Sequence, residues 1–136
     1  MLAYENAAGT VSVDQEKKYL RIDWARGTRH DEDIKEVFDQ ALEMLVRYEL
    51  HKMLVNQKYM SSSSSFAEAW VVYDWMPRLR EAGITYGVVA ILVGQNVITR
   101  VNTQGFLSHI EALELTYLLQ QFIFEEEAID WLVRAV

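Results

Sequence analysis

The chain predicts a single α/β domain over residues 1–136, with a small mixed β-sheet, antiparallel in its N-terminal strands and parallel in the later ones, and about four helices. Three observations carry this. Lys52 to Val93 is laid out as one β-α-β unit: an apolar run, a serine run, an aromatic-rich helix closed by Gly83, and a second apolar run. Ahead of it, short alternating segments suit antiparallel strands, and Ile34, Val37, Phe38, Ala41, Leu42 and Leu45 recur at helical spacing. A length of 136 residues fits one domain with a core of its own.

Taken in order, Ala3 to Asn6 and Thr10 to Val13 are strands separated by Ala7-Ala8-Gly9, where glycine is expected to supply a turn with positive φ. In Tyr19 to Trp24, Leu20, Ile22 and Trp24 alternate with Tyr19, Arg21 and Asp23, which gives a strand with one buried and one wetter face. Gly27-Thr28 ends it. Asp31-Glu32-Asp33 then places negative charge where a helix N-terminus favours it, and the periodic apolar set predicts a helix from about Asp31 to Glu49.

Met53-Leu54-Val55 suits a strand covered on both faces. Serines 61–65 supply hydroxyls to cap the next helix, with Glu68 three residues after Ser65. Phe66, Trp70 and Tyr73 share one helical spacing, and Val72, Met76 and Leu79 another, so the apolar side is wide. Pro77 removes one helical bond and predicts a kink near Tyr73 to Met76, or two pieces with Pro77 opening the second. Gly83 stops the helix, and Ile84 to Val93 is the strongest strand. Asn96 to Leu115 reads as an interrupted helix, Tyr117 to Phe124 as a strand, and Glu125 onward as a last helix burying Ala128, Ile129, Leu132 and Val133. Leu54, Val55, Val89 and Ile91 are expected deep in adjacent parallel strands.

Composition narrows the function classes. Lys plus Arg number 13 against 20 Asp plus Glu, and the net charge of -7 argues against general binding to nucleic acid or anionic membrane. Without cysteine there is neither a disulfide framework nor a thiolate metal site. No apolar run approaches the ~20 residues that span a bilayer, and the N-terminus has no signal-peptide pattern, so a cytoplasmic location is expected. Hydrophobic residues make up 51% of the chain, and Trp24, Trp70, Trp75, Trp131 and Phe122 to Phe124 are much apolar surface for one small domain to hide, which predicts a homodimer.

Trp24 near the end of the third strand, Leu54-Val55 before the serines, Trp75-x-Pro77-x-Leu79-x-x-Ala82-Gly83, and Phe122-x-x-Glu125-Glu126-Glu127-Ala128-x-x-Trp131-Leu132 together resemble the SpoIIAA-like branch of the STAS-domain proteins over nearly the whole chain. The resemblance implies a compact α/β domain with helices largely on one side of a mixed sheet. It also implies a non-enzymatic regulatory module that binds a protein partner and is switched at a serine following a central strand, in a motif of the type Met-Asp-Ser-Ser-Gly. Met60-Ser61-Ser62-Ser63-Ser64 matches that motif without its aspartate and glycine, which points to Ser62 or Ser63. Some members of the branch are likened to the lipid-binding CRAL-TRIO fold, so a small apolar ligand is the alternative.

The residues themselves support a plainer account of the serines, as loop and helix cap. Met60, Phe66, Trp70 and Trp75 form the candidate apolar-ligand or partner surface. Aromatic residues at helical spacing are more often core, but one helix face cannot bury all of Phe66, Trp70, Tyr73 and Trp75, and Trp75 or Trp70 is the member expected to emerge. Catalytic and metal readings are weaker. His109 and Glu111 diverge on a helix, His30 with Asp31 and Asp33 suits a solvated helix start, and Gly94-Gln95-Asn96 lacks a phosphate-binding fingerprint. No cofactor is expected.

Overall fold

The computed structural model describes residues 1–26, 30–59, 69–93 and 116–135. Six strands form one sheet in sequence order: β1 (Leu2–Asn6), β2 (Gly9–Asp14), β3 (Tyr19–Trp24), β4 (Lys52–Asn56), β5 (Tyr86–Leu92) and β6 (Thr116–Phe122). The first three pair antiparallel, and β3–β4, β4–β5 and β5–β6 are parallel, as expected of the later strands, so β4 and β5 close the β-α-β unit expected over Lys52 to Val93. Among the described residues three helices accompany them: α1 (Asp31–Arg47), α2 (Met76–Glu81), which continues a π-helical stretch Val71–Trp75, and α3 (Glu125–Arg134). The interrupted helix expected over Asn96 to Leu115, the Gly27-Thr28 break and the serine cap lie outside the described residues.

Alternation along the strands sorts the side chains into two layers. On one face Val11, Val13, Leu20, Ile22, Trp24 and Met53 pack against α1, the π-helical stretch and α2. On the other, Leu54, Val88, Ala90 and Leu92 pack against Ala128 and Leu132 of α3. Helices therefore cover both faces, where the family resemblance implied largely one. Leu54 and Ile91 are buried as expected, whereas Val55 and Val89 remain partly accessible at the margin of the larger core.

Two local expectations change. The β1–β2 turn does not use Gly9 at positive φ. Asn6 closes it instead, its Oδ1 accepting from the N–H groups of Ala8 (2.8 Å) and Gly9 (3.3 Å), while Gly9 begins β2 where an added Cβ would lie 2.5 Å from Asp23 O. The proline prediction resolves into two pieces. Proline at the start of α2 has no N–H to give to Tyr73 and crowds that turn, and the backbone widens so that Met76 N–H donates to Val71 O.

Both helices on the first face end in the same closure. After α2, Gly83 (φ 83°) donates to Arg80 O and Ile84 N–H to Leu79 O, with Ile84 and Leu79 both buried. After α1, Glu49 N–H donates to Val46 O and Leu50 N–H to Leu45 O, but the left-handed position is held by Glu49 (φ 53°). A side chain there is strained, and Glu49 is exposed. Glu49→Gly is expected to raise stability by about 0.5–1 kcal/mol, read as a higher urea midpoint with unchanged slope.

Candidate interaction surface

The surface around Trp70 and Tyr73 grows out of the π-helical widening. In a regular helix Trp70 and Tyr73 would stay on one side, but each residue of a π-helix turns through a smaller angle, so Val71, Val72, Trp75 and Met76 point inward and Tyr73 and Asp74 outward. Trp75 is consequently core and not surface. It is 4% exposed, meets Phe38 edge-on at 5.0 Å, and donates its indole N–H to Phe38 O at 2.7 Å. Tyr73 takes the exposed role, at 73% accessibility.

Trp70 lies half-buried between these extremes, its ring 6.2 Å from Phe38. Two cations stand over the indole: Lys35 Nζ at 5.9 Å from the ring centroid and the Arg78 guanidinium at 5.4 Å. Arg78 is held there by Asp39 (2.6 Å) from α1 and Asp74 (3.2 Å) from the π-helical stretch, so the aromatic patch is framed by charges whose positions are set by two elements. Met60, Ser62, Ser63 and Phe66 lie outside the described residues; of the predicted set, Trp70 alone is placed at this surface.

A second polar group occupies the other face, near the C-terminal ends of β3 and β4. Arg21 donates to both oxygens of Asp23 (2.8 and 3.0 Å) and to Glu125 of α3 (2.5 Å), and Asn56 Nδ2 donates to Asp23 Oδ1 (2.8 Å). Burial works against the Arg21 charge, but the hydrogen bonds to Asp23 and Glu125 outweigh it and hold its pKa above the usual value. The partners satisfy one another, and the group ties the first turn of α3 to the sheet. Alternation locates Arg21 and Asp23 on one face from sequence; nothing in the sequence signals their link to Glu125.

Tyr117 is pushed up to about 12 by burial and Tyr19 is raised chiefly by burial, so both stay neutral while Arg21 stays charged. Among the described residues no three His, Asp or Glu side chains converge as a metal site, and no helix is long and apolar enough to cross a membrane. Comparison of the chain with protein-family models, with curated proteins and with solved structures gives no match.

Proposed function

We propose that this protein is a non-enzymatic interaction module of STAS type, regulatory in role, that contacts a protein partner through the surface around Trp70 and Tyr73. The observation that carries the reading is the half-buried Trp70 ring beside two cations, with Tyr73 at 73% accessibility three residues on, soon after the serine run in the chain. Tyrosine, tryptophan and arginine are the side chains that dominate binding energy at protein interfaces, and here a packed scaffold already orders Trp70 and Arg78. The alternative, a carrier of a small apolar ligand, needs space beneath the same helix. Val71, Val72, Trp75, Met76 and Leu79 fill that position with buried side chains, which favours the first reading.

Quantitative capture of partners from native cells by the tagged chain tests it. Tyr73→Ala should keep the circular dichroism spectrum of the folded chain and reduce a specifically retained protein by roughly tenfold, the loss of one interface anchor. Retention of the same proteins at the same level by Tyr73→Ala and by Trp70→Ala would sink the proposal.

A further inference from the structure

The charges around Trp70 and Tyr73 are unevenly matched. Glu32, Lys35 and Asp39 follow one another along α1 at spacings of three and four, and Trp70, Asp74 and Arg78 at spacings of four along the neighbouring segment. The two rows meet where Arg78 Nη2 is shared by two carboxylates, Asp39 Oδ1 at 2.6 Å and Asp74 Oδ2 at 3.2 Å. One cation therefore answers two anions. An ionised carboxylate accepts on both oxygens, and no described residue engages Asp39 Oδ2 or Asp74 Oδ1.

Burial also sorts the two signs by depth. In every ion pair here the carboxylate is the more exposed member: Glu32 is 86% exposed against 23% for Lys35, and Asp74 56% against 36% for Arg78. Both cations lie over the Trp70 indole, whose face attracts their charge and covers their stems. What stands outward beside the Tyr73 ring is carboxylate. The chain as a whole carries a net charge of -7, so the field beyond the surface has the same sign. A second copy of the chain, a nucleic acid or an anionic membrane is repelled from such a surface, and a cationic segment is drawn to it.

We propose that the protein partner of this surface binds through an arginine, whose guanidinium donates to the open oxygens of Asp39 and Asp74 beside the exposed Tyr73 ring, with an apolar side chain of the same segment seated against Trp70. The inference rests on the partner surface proposed above and adds the chemistry of what it takes. Arginine suits the site better than lysine. A planar fork of N–H groups serves two acceptors at once and can also lie on an aromatic face, whereas an ammonium is a compact, strongly hydrated point charge. Arg78 stays beneath as the inner counter-charge that keeps the two carboxylates close together, so the second guanidinium meets acceptors already in place.

A library of random peptides displayed on phage and selected on the full chain is the probe. Selected peptides should be enriched in arginine, over lysine and over the starting library, with an apolar or aromatic residue close by. One of them, labelled and titrated with the chain, should lose affinity as salt rises. Asp39→Asn with Asp74→Asn should weaken it roughly tenfold while the circular dichroism spectrum stays that of the folded chain. Glu126→Gln with Glu127→Gln removes the same formal charge from α3, on the opposite face of the sheet, and should leave the affinity within about twofold. Selected peptides without an excess of arginine, a selection that yields none above background, or an equal loss in the two paired variants overturns the inference. Tyr73→Ala separates it from the reading it rests on. Peptide binding that survives Tyr73→Ala removes the surface itself, whereas peptides that need Tyr73 and carry no arginine remove only the arginine.

Discussion

Replacing Trp75 by alanine is expected to cost about 3–5 kcal/mol, a large fraction of the stability of a domain of this size. The indole is 4% exposed and sits where α1 meets the π-helical stretch. It touches Phe38, which in turn tilts against Trp24 at 5.5 Å, so one ring links β3, α1 and the segment leading to α2. Its N–H is also committed, to Phe38 O at 2.7 Å. Trp75→Phe separates the two contributions. Phenylalanine keeps most of the apolar contact and leaves Phe38 O its place in α1, so the cost should fall to about 1–2 kcal/mol. Urea unfolding at one fixed protein concentration measures both, the concentration being held because association shifts apparent stability. A Trp75→Ala midpoint within error of wild type would falsify the placement of this ring in the core. If the core reading holds, Trp75→Ala should also loosen the Trp70 surface that rests on the same helix, whereas Tyr73→Ala should not.

Trp75 and Tyr73 also show where sequence reasoning stops. Pro77 announces a disturbed helix, and the break falls where a missing N–H and a crowded turn require it. What Pro77 does not announce is the form of the disturbance. A kink preserves the 3.6-residue spacing on either side, while a π-helical widening rotates the residues before the proline, and that rotation moves Trp75 inward and Tyr73 outward. The helix over Ile34 to Leu45 is legible because one uninterrupted period runs for its whole length, and its end differs from expectation only by the cap at Tyr48 to Leu50. The β1–β2 turn was also within reach: asparagine and glycine both mark turns, and the physical distinction is whether a side-chain acceptor or a positive φ closes it. Arg21 and Glu125 are separated by 104 positions, and the face on which α3 settles decides their meeting, which no local pattern encodes. The outward surface, made of single aromatics whose neighbours are brought by α1, was legible only as a surplus of apolar area.

Gly87→Ala is expected to cost about 2–3 kcal/mol, against the sign that strand propensity assigns. On intrinsic preference alone, alanine for glycine inside a strand gains roughly 0.5–1 kcal/mol, and in ITYGVVAILV the glycine looks like a weakness. The neighbours reverse this. A Cβ at Gly87 would lie 2.6 Å from His51 O and 2.6 Å from Cε1 of Tyr117, its register partner on β6. His51 O is backbone and already accepts from Val88 N–H at 2.9 Å, so moving it disturbs the junction of β4 and β5. Tyr117 has more freedom, but turning its ring gives up the bond from its hydroxyl to Ile84 O (3.3 Å) and the burial that pushes its pKa up to about 12. The two obstacles are separable by measuring Gly87→Ala again in a Tyr117→Ala background. A ring that is the whole obstacle makes the second substitution free of cost in that background; a fixed carbonyl leaves most of the cost in place. The second outcome is expected, because a side chain can rotate and the backbone carbonyl, bonded to Val88 N–H at the junction of β4 and β5, cannot move without breaking that bond.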